Sequence, residues 1–224
     1  MNSLYAVSPL DGRYADRTDS LRTYASEAAL MRARVEVEVK YLLALADLDA
    51  TPLTLSERTR TYLHGLYQNF DESDAELIKE IETEGHGRFP ATNHDVKAVE
   101  YFLQARLNDP QQAHVHPWIH FGLTSEDTNN LAYRLLVRDA VDHLVVSGLR
   151  GVEAALAVMA REYRDVPMLA RTHGQPATPT TFGKEVAVFA SRLSRAIERV
   201  EDARDGLQGK LAGASGTYAA HVAA

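Results

Sequence analysis

Apolar residues recur along most of this chain at steps of three and four, the pattern of helices that bury one face. Leu21, Tyr24, Ala28, Met31, Val35, Val39, Leu42 and Ala46 form the first such stripe, which Asp49-Ala50-Thr51-Pro52 ends. Within it, Val35-Glu36-Val37-Glu38-Val39 alternates as a strand would, but the longer helical register outweighs that short run. Shorter helices are expected over 55–69 and 73–83. The Gly/Pro loop 84–90 separates them from a helix with Val96, Val99, Leu103 and Leu107 on one face. Asn93 is its expected N-cap and Asp95 suits its positive end, a role for which His94 is not needed. Asn108-Asp109-Pro110 is a stop and a soft domain boundary.

Beyond that stop the helices lengthen. Thr124 and Asp127 have capping-box spacing, and Leu131, Leu135 and Leu144 mark the stripe of the helix that follows. Another helix is expected over 147–164, ending at Asp165-Val166-Pro167. Phe182, Val186, Phe189, Leu193, Ile197 and Val200 place a third from about Thr181 to Gln208. No region shows several spaced β runs. The fold class is therefore mainly α, with long helices that pack as a bundle and whose length favours association with other chains.

One polar stretch interrupts this pattern. Arg171-Thr172-His173-Gly174-Gln175-Pro176-Ala177-Thr178-Pro179-Thr180-Thr181 carries two prolines and a glycine and cannot be helix interior. It reads as a shaped connection between two long helices. Spacing alone leaves open whether it is a plain turn or a place for chemistry.

Composition narrows the function classes. With 24 Lys+Arg against 31 Asp+Glu, the chain carries −7 and lacks the bulk positive charge of a nucleic-acid binder. Cysteine is absent, which excludes disulfides and thiolate metal sites and fits a reducing cytoplasm. Met1-Asn2-Ser3-Leu4-Tyr5 has no secretory pattern. The most apolar region, Val141 to Ala160, carries Asp142, His143, Arg150 and Glu153, which argues against a membrane span. His114, His116 and His120 invite a metal reading, but Pro117 breaks their common face and no acid joins the run, so no metal site is expected. Phosphate-cradling glycine motifs are absent too.

What remains is a set of four short polar boxes, each beside an expected helix end. They are Asp11-Gly12-Arg13-Tyr14, Thr92-Asn93-His94-Asp95, the run from His120 to Asp127, and the run from Arg171 to Thr181. Together they offer a cation, a phenol, histidines, hydroxyls, an amide and free N–H groups. That inventory fits an anionic ligand and acid–base chemistry near neutral pH.

In order along the chain, these boxes resemble the N-terminal half of the adenylosuccinate lyase family, within the aspartase/fumarase superfamily. The likeness lies in Ser8-Pro9-Leu10-Asp11-Gly12-Arg13-Tyr14, in the run from Thr92 to Leu103, in the run from Ile119 to Asn130 and in that from Arg171 to Pro179. It implies an N-terminal helical domain over 1–110, followed over 111–224 by the first part of a central long-helix bundle. It also implies a cytoplasmic homotetramer whose active sites are shared between subunits, without metal or organic cofactor, nucleic acid or membrane. The implied reaction releases fumarate from adenylosuccinate, leaving AMP, and from the succinylated carboxamide ribotide of purine synthesis. By position, Arg13 and Tyr14 resemble nucleotide-phosphate ligands, with His120 a further phosphate-side contact. Asn93, His94 and Asp95 line the substrate site, Thr124 and Ser125 bind a substrate carboxylate, and His173 resembles the general acid.

The resemblance has departures. The family's general base is a serine on a loop of the Ser-Ser-x-Met-Pro-x-Lys-x-Asn-Pro type, and no such run occurs in the 224 residues. Thr217 and Ala219 stand where the family usually has Asn, and the lead-in Glu84 to Ala91 is longer than its counterpart. Two other readings follow: a sister fumarate-releasing lyase, such as one acting on argininosuccinate, or a catalytically incomplete helical module that binds a nucleotide or a partner subunit.

Overall fold

The computed structural model describes residues 5–223. Met1–Leu4, the start of the stretch read above for a leader, and Ala224 lie outside the described residues. The chain divides into two compact units: residues through Val137 together with those from Gln208 onward, and Arg138–Leu207. Mainly helical architecture is what the apolar spacing predicts, and it is what is found.

In the first unit, the long stripe becomes two helices, α1 (Arg22–Ala25) and α2 (Glu27–Ala46). The break falls at Ser26, whose extended backbone and hydroxyl cap α2 through the Ala29 amide. Burial of α2 is wider than one stripe. Met31, Val35, Val39 and Leu42 join the main core, while Ala29, Ala33 and Val37 pack with Ala132 and Leu136 in a second. A helix covered on two faces loses the simple apolar/polar alternation around its axis. This is why Val37, off the expected stripe, is buried.

Helices α3 (Glu57–Gln68) and α4 (Glu72–Thr83) fall where the spacing puts them; α4 opens on a capping box between Asp71 and Asp74. The Gly/Pro loop folds as a two-stranded ribbon, β1 (Gly85–His86) against β2 (Phe89–Pro90). Helix α5 (Asp95–Arg106) then buries Val96, Val99, Phe102 and Leu103. Tight helical turns over Pro110–Trp118 lead to α6 (Ser125–Ala140). At the end of the chain, α9 (Ala219–Ala223) belongs to the same unit.

From Ser125 the helix continues through a π-helical turn at Val141–Val146 into α7 (Ser147–Glu162). This 38-residue run is long and apolar enough, by length and composition, to cross a membrane. Two of its charges pair with α8 (Phe182–Asp205): Asp142 with Arg204, and Arg150 with Glu201. Of the expected α8 stripe, Val186 and Ile197 are buried, whereas Phe189 stays 59% exposed. Val152 and Val158 on α7 are likewise exposed, so this unit carries unburied apolar surface of the kind that marks an interaction face.

The polar stretch connects α7 to α8, as expected, but it is not a plain turn. It folds as an antiparallel hairpin, β3 (Pro167–Thr172) with β4 (Gln175–Thr181), paired from Pro167↔Thr181 to Thr172↔Gln175 with a register shift between Leu169 and Arg171. Proline is tolerated because a two-stranded ribbon leaves the outer side of each strand without ladder bonds. The two-residue tip, His173-Gly174, has φ of 50° and 75°. Positive φ at both central residues is the type I′ condition, whose twist matches a hairpin.

Gly183 sets the approach of α8 to the end of α7. A Cβ there would run into the Ala160 carbonyl oxygen and the Arg164 backbone. Gly183→Ala is therefore expected to force the helices apart and to destabilise by about 3 kcal/mol. Circular dichroism should register a Tm lower by about 6–12 °C; a Tm within about 1 °C of the parent would contradict the close approach.

Candidate active site

Three polar side chains on α2 organise the site, and the sequence reading missed them. Arg34, Glu38 and Tyr41 are spaced by four and three, so they share one helical face. Each holds a loop. Arg34 is 5% exposed; it binds Asp95 Oδ2 at 2.5 Å and donates from Nε to Asn129 Oδ1 at 2.8 Å. Glu38 is 1% exposed, and its Oε1 meets His120 Nδ1 at 2.6 Å and the Thr128 hydroxyl at 2.7 Å. Tyr41 donates to the Phe121 carbonyl at 2.7 Å and meets His221 Nε2 at 2.7 Å. Their i, i+4, i+7 spacing was readable, but Arg32, Glu36 and Lys40 on the same helix mask it.

The ladder brings the starts of α5 and α6 together. His94, not Asn93, caps α5: its Nδ1 accepts from the Lys97 amide at 3.3 Å. Asn93 instead takes a positive φ of 48° one residue earlier, and its amide donates to the Glu82 carbonyl. An Nδ1 that accepts carries no proton, so in the neutral ring the proton sits on Nε2. That Nε2–H faces Ser125 Oγ at 3.3 Å. Ser125 thus accepts from His94 and keeps its own hydroxyl proton for a ligand. Asp95 Oδ1 accepts from the Val96 amide at 2.8 Å. Burial pulls the Asp95 carboxyl upward, but the Arg34 charge, the Val96 amide and the Arg34 hydrogen bond hold it below its ordinary value.

His120 sits in the left-handed region at φ 59°. Burial pulls its pKa down; the hydrogen bond and charge of Glu38, with the charge of Glu100, outweigh that and the repulsion from Lys97, leaving it raised. The Tyr41 phenol is pushed up to about 12 by burial, then by the charges of Glu38 and Asp127, so it remains a donor near neutrality. As to metals, no cluster of three or more acidic or histidine side chains able to hold an ion occurs among the described residues. His114 instead lies against the carbonyls of Gln111 and Thr54, and His116 against that of Leu107.

At the start of α6 only half of the expected capping box forms. The Thr124 amide donates to Asp127 Oδ2 at 2.9 Å. Asp127 has a larger duty: its carboxylate also takes the Ala212 and Gly213 amides at 3.1 and 2.9 Å and Lys210 Nζ at 2.7 Å. Asn130 adds a reciprocal pair with the Lys210 backbone. Residues 208–213 are thereby clasped to α6.

The remaining expected residues stand elsewhere. Arg13 and Tyr14 lie exposed on the N-terminal arm, the guanidinium 5.6 Å over the phenol ring, and among the described residues neither bonds to the His94–Ser125 group. His173 occupies the hairpin tip of the second unit and is exposed.

This combination of long helices and polar boxes at helix starts has known counterparts. Residues 12–224 match the lyase family, and the chain belongs to that family. Within it, the chain is 42% identical over 227 residues to an adenylosuccinate lyase of Legionella pneumophila, covering 100% of this chain and 48% of that protein. It is 42% identical over 228 residues to the Escherichia coli K12 adenylosuccinate lyase, again over 100% of this chain and 48% of the other. The Dictyostelium discoideum adenylosuccinate lyase is 41% identical, over 99% of this chain and 47% of its own. A fumarate lyase from Mesorhizobium sp. BNC1 superposes with a TM-score of 0.68 at 28% identity, covering 90% of this chain and 44% of that one. The chain spans about half the length of the curated relatives it matches.

Proposed function

We propose that these 224 residues supply the substrate-binding face and proton donor of an adenylosuccinate lyase. The observation that carries this reading is the 42% identity to proteins of that name over the whole chain. Two converging helix starts, joined by His94 and Ser125, support it chemically. The reaction removes a proton from the carbon beside a substrate carboxylate, which loads that carboxylate with negative charge. Donors aimed at it stabilise the developing dianion. In this reading the Ser125 hydroxyl, with Thr124 and the first amides of α6, forms that donor set, and Asn93, His94 and Asp95 line the substrate site. Arg13, Tyr14 and His120 then take the nucleotide phosphate. As the carbon–nitrogen bond breaks, His173 gives the departing nitrogen its proton, leaving fumarate and AMP. No metal or organic cofactor is needed. The exposed apolar surface of α7 and α8 serves assembly into a homotetramer, with sites shared between subunits, in the cytoplasm.

The base is the missing partner: no Ser-Ser-x-Met-Pro-x-Lys run occurs among these residues. These 224 residues alone are therefore expected to release no fumarate from adenylosuccinate, and to release it once a segment carrying that loop is added. Absorbance of fumarate follows both cases. Release by the 224 residues alone would overturn the assignment of the base. A complemented protein that cleaves argininosuccinate and leaves adenylosuccinate intact would overturn the substrate.

A further inference from the structure

Glu38, like Asp127, is a fully enclosed carboxylate, with a side chain of 0% exposure. Its Oε1 receives two donors at short range, His120 Nδ1 and the Thr128 hydroxyl, while Oε2 is buried without a partner. A buried carboxylate is stabilised by a positive charge and hydrogen-bond donors placed against it. The groups that face the His120 ring are Glu38 from α2 and Glu100 and Lys97 from α5, with the Thr128 hydroxyl of α6 on the shared carboxylate. Lys97 is itself bound to Glu100 Oε2 at 2.7 Å, so its charge is engaged. Glu100 Oε1 lies 4.0 Å from His120 Nε2, beyond hydrogen-bond reach. Nε2 is thus the ring nitrogen left open to a ligand.

We propose that Glu38 is a positioning residue: it holds His120 as a doubly protonated imidazolium in one ring orientation, so that Nε2–H meets the anionic substrate group with a full charge. The left-handed backbone at His120 brings the ring to α2, and the Glu38 carboxylate fixes which nitrogen points inward. The nature of the anion rests on the proposed function; the state of the ring does not.

The test is nitrogen NMR of the His120 ring, assigned by its loss in His120→Gln. In the parent protein both ring nitrogens should be protonated at pH 7. In Glu38→Gln, which keeps an acceptor but removes the charge, the ring should titrate about 1–3 pH units lower. A neutral ring at pH 7 in the parent protein overturns the proposal, even if Glu38→Gln fails to fold. So does a folded Glu38→Gln with an unmoved titration. In the complemented enzyme, Glu38→Gln should raise KM about tenfold at pH 8, with a smaller change in kcat, and the gap should close toward pH 6. A KM ratio independent of pH would overturn it as well. If the parent enzyme does not cleave adenylosuccinate, the proposed function fails while the NMR result still decides the role of Glu38.

Discussion

Replacing His173 by asparagine is expected to lower fumarate release by the complemented enzyme about 10²–10⁴-fold, with the hairpin intact. The choice of asparagine follows from the backbone. His173 and Gly174 form the hairpin tip with φ of 50° and 75°. Asparagine is among the few non-glycine residues that enter this region readily, whereas glutamine would add strain and blur the result. Asparagine offers an amide in place of an imidazole, so it can still hydrogen-bond but cannot donate a proton to a leaving nitrogen. The loss should fall on kcat more than on KM, because the proton is needed only as the bond breaks. Initial rates from fumarate absorbance, with circular dichroism as the control for folding, would measure it. A kcat within about threefold of the parent would remove His173 from the chemistry.

The second large effect concerns stability. Asp127 is fully buried, and it accepts from three backbone amides and Lys210. In Asp127→Asn the Nδ2 group would point a donor at other donors, the charge for Lys210 would vanish, and residues 208–213 would lose their hold on α6. Removing one partner from such a buried group costs about 3–5 kcal/mol, a fall in Tm on the order of 10 °C. The pH dependence has a definite sign. Burial alone would raise the Asp127 carboxyl, but the bonds from Lys210, Thr124, Ala212 and Gly213 outweigh it and hold it below its ordinary 3.8. A lowered native pKa contributes stability that is fully present above the unfolded value and is lost as pH falls through the native one. The gap between parent and variant should therefore hold at pH 6–7 and shrink below about pH 3.8. Thermal melts across that range would show it; a constant gap down to pH 2 would contradict the assignment.

The two effects divide along the line between what a sequence displays and what it hides. His173 was visible because histidine, glycine and two prolines interrupt a helical pattern. Its strand setting was not: Thr178, Thr180 and Thr181 are β-branched, but the prolines that break a helix also disguise a ribbon strand. The Thr124–Asp127 spacing was visible as a cap. Its main duty, clasping residues more than 80 positions away, was invisible, because nothing local distinguishes a carboxylate that caps its own helix from one that also binds a distant loop.

By itself, the sequence determined the helices, because apolar period and capping chemistry are local and add up over many residues. It also determined the family, since four polar boxes in fixed order carry more information than any one of them. Only the tertiary structure decided which residues serve the site from behind. Arg34, Glu38 and Tyr41 lie on a helix covered on two sides, and their partners stand 61, 82 and 80 positions away. Such pairs form only when α5 and α6 pack on α2, so a property of packing chose them, and their local spacing does not set them apart from Arg32, Glu36 and Lys40 on the same helix.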